Sequence, residues 1–166
     1  MMNLANLDGE VHYIKSFYSD ERARIFFKEL EAYTHYSQRT IKIFGKEHKS
    51  PRLEAFFTKE NQVYSYSGKK LKSHPYTAIL KEICDDLEKF TNQKFNSVLV
   101  NVYRSGSDGN GWHSDDEKEL GENPFIASLS LGETRRIQFR HKELKNKFHL
   151  DMEHGSLLIM KGPLQH

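Results

Sequence analysis

The chain has 166 residues, 37% hydrophobic, with one cysteine, enough for a single core because a chain of this length buries roughly 70% of its unfolded surface. Charged residues of both signs make up 29% and leave a net charge of only +2, which excludes a disordered polyelectrolyte. Cys84 alone excludes an intramolecular disulfide and any site of several cysteines, and no apolar run approaches the ~20 residues of a membrane span.

Met1–Glu10 lacks the apolar core of a secretory signal, so the expectation is one cytoplasmic domain over 1–166, a monomer with no membrane partner. No repeat or low-complexity stretch interrupts it. Asp20–Tyr33 reads as a helix capped by Ser19 or Asp20, with Ile25, Phe26, Leu30 and Tyr33 at helical spacing. His74-Pro75 opens a second, whose apolar stripe is Ile79, Leu80, Ile83, Leu87 and Phe90. Cys84 lies beside that stripe and reads as a small core residue rather than a reactive thiol. After Phe95 the pattern turns to short strands: Ser97–Tyr103, Phe125–Leu131, Arg136–Arg140, Lys147–Leu150 and Ser156–Met160, with a turn-prone Arg104–Gly111. The predicted architecture is mainly β, a sandwich, jelly roll or barrel, with two helices packed against an all-β C-terminal half.

Charge is unevenly spread. Gln38–Lys72 holds nine Lys/Arg against three Glu, and Arg135–Lys147 six against one. Between them Asp108–Glu122 holds six carboxylates against Lys118. Either these are three solvated faces, or they fold into an acidic pocket with a basic rim.

Chemistry concentrates in Trp112-His113-Ser114-Asp115-Asp116-Glu117. In an extended segment side chains two apart share a face, so His113 and Asp115 can offer a nitrogen and an oxygen to one ion. With a distant histidine they would complete the two-histidine, one-carboxylate triad of non-haem iron oxygenases. Nine histidines and eight aspartates give about 0.4 His-x-Asp pairs by chance, so the pair alone carries no weight. Its setting carries more. The β-rich Ser97–Tyr103 leads into it, and Asn101 and Tyr103 share a face of that strand, either as edge residues facing water or as hydrogen-bonding tips beside the site.

The run from Asn101 to Glu117, N-x-Y-R-S-G-x-D-x-x-G-W-H-S-D-D-E, resembles the signature of the AlkB-type Fe(II)/2-oxoglutarate-dependent dioxygenases, enzymes of oxidative nucleic-acid dealkylation. The likeness extends in order over Pro51-Arg52, Tyr64–Gly68, Ile126–Gly132, Arg140–Lys142 and His154–Met160, and is nearest the branch with the human DNA-repair homologues. It implies a double-stranded β-helix, a jelly roll with N-terminal helices. It implies Fe(II) held by His113 and Asp115, and 2-oxoglutarate held by Asn101 and Tyr103. Tyr64, Tyr66 and Ser67 would line a damaged-base pocket, with Glu117 near the flipped base and Arg140 and Lys142 on the nucleic-acid face. The implied reaction hydroxylates an N-alkyl carbon of alkylated DNA or RNA, releases an aldehyde and restores the base, which must be flipped out of any duplex.

The resemblance stops at Lys161–His166, before the positions where the pattern sets its second histidine and the arginine for the distal carboxylate of 2-oxoglutarate. The expectation is therefore a domain lacking the C-terminal end of the fold, with iron and cosubstrate held weakly and little turnover. Truncation and natural shortening both remain open. His166 falls short of the distal-histidine position, and His154 reads as a turn residue before a strand. Two other functions stay in view: a catalytically dead nucleic-acid-binding module, and an iron/2-oxoglutarate hydroxylase of another substrate class.

Overall fold

In the computed structural model, residues 8–33, 35–43, 45–59, 64–66, 69–71 and 73–166 are described, with backbone alone at 41–43, 64–66 and 69–71. Chain order is β1 (Glu10–Ile14), α1 (Asp20–Glu31), β2 (Thr40–Ile43), β3 (Lys46–Lys49), β4 (Leu53–Thr58), β5 (Tyr64–Tyr66), β6 (Lys69–Leu71), β7 (Ser73–Pro75), α2 (Ala78–Thr91), β8 (Ser97–Val102), β9 (Ile126–Ser130), β10 (Arg135–Arg140), β11 (Lys147–Met152) and β12 (Ser156–Lys161). The chain divides into two compact units, one of residues 8–32 with 120–166, the other of residues 33–119.

In the first unit β12 lies between β1 and β9, antiparallel to both. A strand paired on two sides reads as an unbroken apolar run when both faces are covered, and Ser156–Met160 of β12 is buried throughout. The β10–β11 hairpin adds Ile137, Phe139, Phe148 and Leu150 from its inward face to the cluster of Val11, Met152, Leu158 and Met160. Phe139 and Phe148, cross-strand partners, stack at 4.6 Å.

Ser19 caps α1, its hydroxyl accepting from the Arg22 N–H. The buried face is Ala23 and Phe26, three apart, so Ile25 is carried to the solvent side and is 53% exposed, contrary to its expected place in the stripe. Two glycines let α1 close on the sheet. Gly132, at φ +91°, leaves room for the Phe27 ring, 2.9 Å from where a Cβ would stand. Gly155, at φ +73°, lies 2.9 Å by the same measure from the Tyr18 carbonyl, and its own carbonyl accepts the Tyr18 N–H. His154 serves the same turn: its Nδ1 accepts the Gly132 N–H at 2.8 Å, the structural part expected of it.

In the second unit β4 is central, parallel to β7 and antiparallel to β8. Hairpins β2–β3 and β5–β6 accompany this sheet. The two helices and the strand-rich stretch after the second agree with expectation; the addition is that strands β1 to β7 precede the second helix. That helix begins at Ala78 behind a Thr77 cap. Leu80, Ile83, Cys84 and Leu87 are buried, and burial pushes the Cys84 thiol up, against reactivity. Phe90, in the last turn, is 46% exposed and ends the stripe early.

Glu88 of α2 ties this unit together. Its carboxylate accepts from Lys59 Nζ at 2.6 Å, Lys94 Nζ at 2.7 Å and the Phe95 N–H at 3.1 Å, and the side chain is only 9% exposed. Lys59 first, then Lys94 and the Phe95 N–H, hold its pKa down to about 2. A depressed carboxylate stabilises the fold above its unfolded pKa, and that stabilisation is lost as pH falls towards the folded value. Glu88→Gln should therefore lower stability by about 1–2 kcal/mol at neutral pH, and flatten the decline of stability between the ordinary carboxylate pKa and about 2. Denaturant titrations at several pH values would check this; parallel wild-type and variant curves would refute it.

Candidate metal and cosubstrate site

The site belongs to the second unit and starts with the β4–β8 register, in which Leu53 faces Val102 and Glu54 faces Asn101. Arg52, one residue before β4, is thereby brought to Asn101, and its Nε donates to Asn101 Oδ1 at 3.0 Å. The loop after β8 folds back onto the same place. The Arg104 backbone N–H and guanidinium both donate to Asp108, which is 8% exposed, and the Gly109 N–H donates to the Pro51 carbonyl. These ties deliver Asn110 to Arg52, whose Nη1 donates to Asn110 Oδ1 at 2.8 Å.

His113 follows. Its Nδ1 donates to the Gly111 carbonyl at 2.8 Å, which fixes the tautomer with the lone pair on Nε2. That nitrogen accepts from Asn110 Nδ2 at 3.3 Å and lies 3.5 Å from Asp115 Oδ1. His113 and Asp115 side chains are 46% and 26% exposed. When the ring is protonated, Nε2 donates instead to Asp115, the largest influence on His113, and this raises the imidazole pKa against partial burial. Glu117 is partly buried, its Oε2 has no hydrogen-bond partner among the described residues, and burial pushes its carboxyl up.

An unbroken contact path thus runs from Asn101 through Arg52 and Asn110 to His113 and Asp115. The two donor atoms face each other at a separation that one ion can bridge, so they fit two protein ligands of an iron. Among the described residues no group of three or more His, Cys, Asp or Glu is gathered for a metal. Tyr103, partly buried, follows the end of β8. Tyr64 and Tyr66 stand on β5 with backbone alone described, and Ser67 lies outside the described residues.

Arg140, Lys142 and His166 belong to the first unit. Arg140 is exposed at the end of β10, directly opposite Lys147 of β11. Lys142 Nζ donates to the Gln165 carbonyl at 3.3 Å, and His166 Nε2 lies 3.5 Å from the Asn123 N–H. Arg52 and Asn110 join the site although the sequence assigns neither a role: Arg52 belongs to the Pro51-Arg52 of the resemblance, and Asn110 is one more polar residue in a turn.

The chain thus has a mixed set of sheets with two helices, and a histidine and a carboxylate facing each other in the loop after β8. The model of the 2OG-Fe(II) oxygenase superfamily matches residues 10–166, and the chain belongs to that family. Within it the resemblance is to AlkB-type enzymes. Human DNA oxidative demethylase ALKBH2 is 38% identical over 153 residues, covering 87% of this chain and 58% of its own length. The Arabidopsis thaliana enzyme of that name is 30% identical, covering 95% of this chain and 59% of its own length. Human alpha-ketoglutarate-dependent dioxygenase alkB homolog 3 is 36% identical, covering 71% of this chain and 44% of its own length. The chain therefore spans about half the length of these curated relatives. The solved structure of OsALKBH1 aligns with a TM-score of 0.60 at 17% identity, over 97% of this chain and 84% of that one, which supports the shared fold. No helix among the described residues is long and apolar enough to cross a membrane.

Proposed function

We propose that the chain is the Fe(II)/2-oxoglutarate-binding part of an oxidative nucleic-acid demethylase of the double-stranded β-helix class, acting on alkylated bases of DNA. The observation that carries this is the approach of His113 Nε2 to Asp115 Oδ1 at 3.5 Å, in a chain of this superfamily. The names of its relatives, DNA oxidative demethylases among them, point to the substrate class.

In this reading His113 and Asp115 hold the iron. With 2-oxoglutarate and oxygen, the bound iron supplies the oxidising chemistry that hydroxylates an N-alkyl carbon. Asn101 holds 2-oxoglutarate: its Oδ1 is occupied by Arg52, so its Nδ2 is left to donate to an anionic oxygen. Tyr103 adds a phenolic hydroxyl as a second donor. Glu117 keeps a carboxyl beside the metal pair at the flipped base, and Tyr64, Tyr66 and Ser67 contribute the base pocket, where each stacked base is worth ~1–3 kcal/mol.

Arg140 and Lys142 contact phosphates. Arg140 and Lys147 are cross-strand partners, which sets two cations side by side at that end of the hairpin. Phosphate contact releases counterions, and affinity for an oligonucleotide should fall about tenfold or more between 50 and 200 mM salt.

The deciding experiment incubates the chain with Fe(II), 2-oxoglutarate, oxygen and an oligonucleotide carrying an N-methylated base. Succinate formation with loss of the methyl group, both abolished by His113→Ala, is the expected result. Salt-sensitive binding without any succinate would replace this reading with that of a binding module. Succinate formed independently of the oligonucleotide, with another acceptor oxidised, would move the substrate to a different class.

A further inference from the structure

We propose that Arg52 is a positioning residue that orients two amides at once, and that through Asn110 it keeps the metal-facing nitrogen of His113 occupied until a metal arrives. This rests on the reading above, in which His113 binds the metal and Asn101 the cosubstrate. Arg52 is 8% exposed and cannot exchange partners freely with water. Its guanidinium fork reaches two acceptors on different segments: Nε meets Asn101 Oδ1 at 3.0 Å and Nη1 meets Asn110 Oδ1 at 2.8 Å. Nε also lies 3.4 Å from Glu54 Oε2, which holds the fork in place.

Because a guanidinium only donates, each amide must turn its oxygen to Arg52 and its NH2 group away. For Asn101 that orientation presents a donor where an anionic cosubstrate needs one. For Asn110 it aims Nδ2 at His113 Nε2, 3.3 Å distant. The His113 ring does not depend on Asn110 for its position, since Nδ1 is tied to the Gly111 carbonyl at 2.8 Å. What Asn110 does is occupy the lone pair that a metal must take. Metal binding then has to break one hydrogen bond, while Arg52 keeps hold of the amide oxygen.

The consequence runs opposite to that of ordinary damage. Asn110→Leu, of similar size and without a donor, should tighten Mn(II) binding about threefold to tenfold, the range expected for relief of one competing hydrogen bond, and leave 2-oxoglutarate affinity unchanged. Arg52→Lys keeps the charge but loses the fork. It should tighten Mn(II) binding to a similar degree and weaken 2-oxoglutarate binding about tenfold. If Arg52 acts on the metal only through Asn110, the double variant binds Mn(II) no more tightly than Asn110→Leu alone.

The measurements are Mn(II) affinity by electron paramagnetic resonance and 2-oxoglutarate affinity at saturating Mn(II) by calorimetry, both without oxygen, on the full chain, with thermal melting of each variant. Weaker Mn(II) binding in Asn110→Leu with an unchanged melting temperature would overturn the placeholder role. Arg52→Lys that leaves 2-oxoglutarate affinity unchanged would overturn the control of Asn101. If Arg52→Lys does not fold, Asn110→Leu still decides the first point, and Asn101→Leu, expected to match the cosubstrate loss, decides the second: unchanged affinity there refutes it. His113→Ala separates the two levels. Mn(II) binding that survives it removes the metal reading itself, whereas binding that requires His113 but ignores Asn110 and Arg52 removes only this inference.

Discussion

Substituting His113 by alanine is expected to abolish specific binding of a divalent ion. Outer-shell partners alone commonly cost about 10–100-fold in metal affinity, so removing a proposed ligand should cost about 100-fold or more. Asp115→Asn should act in the same direction, because it exchanges the facing anionic oxygen at 3.5 Å for a neutral amide. Neither change should unfold the protein, since both side chains are partly exposed. His154→Ala provides the contrast. It leaves the metal pair intact but strips the Gly132 N–H of its acceptor, and should lower the melting temperature with metal affinity unchanged. Titrating Mn(II) into the three variants tests this. Equal affinities in wild type and His113→Ala would mean that the ion is held elsewhere.

The His-x-Asp pair was legible because side chains two apart can share a face, and in the loop after β8 the two approach to 3.5 Å. The strand carrying Asn101 was legible for a similar reason: Ser97–Val102 is β-branched and apolar enough to be read alone. Its partner β4 was missed. Leu53–Thr58 is paired on both sides and almost wholly buried, so it lacks the alternation that marks a half-exposed strand, and Glu54 in its midst reads as a surface residue. What makes that carboxylate tolerable is a pair of arginines at positions 39 and 52, a relation set by tertiary structure that no local pattern carries. β1 was hidden differently. It is five residues long, includes Glu10 and His12, and exists as a strand because β12 offers it an edge.

The same logic explains the errors within the helices. Helical spacing finds apolar residues on a stripe but not the stripe's width, which the neighbouring surface decides. In α1 the glycines at 132 and 155 admit Phe27 and Ala23, centring the buried face away from Ile25. In the site, spacing placed His113 beside Asp115, yet the residue joining them to Asn101 stands 49 positions before that asparagine. A guanidinium shared between a strand and a loop has no signature in a window of neighbouring residues.

Glu54→Gln should be among the most damaging single substitutions in the second unit. Glu54 is 3% exposed and faces Arg39 Nε through Oε1 and Arg52 Nε through Oε2, with the two guanidinium side chains 19% and 10% exposed. Breaking a buried ion pair by removing one partner typically costs about 3–5 kcal/mol, because the remaining charge is left buried without compensation. At about 2–4 °C per kcal/mol for a chain of this size, the melting temperature should fall by roughly 6–20 °C. Asp151→Asn provides the comparison. Asp151 makes a bidentate pair with Arg136 at 2.7 and 2.9 Å, yet those side chains are 48% and 54% exposed, and exposed pairs contribute little. If both substitutions lower the melting temperature equally, burial is not what gives the Glu54 network its weight. If Glu54→Gln behaves as expected, it should also loosen Arg52, so 2-oxoglutarate affinity should fall even at temperatures where the variant remains folded. Asp151→Asn should leave that affinity unchanged.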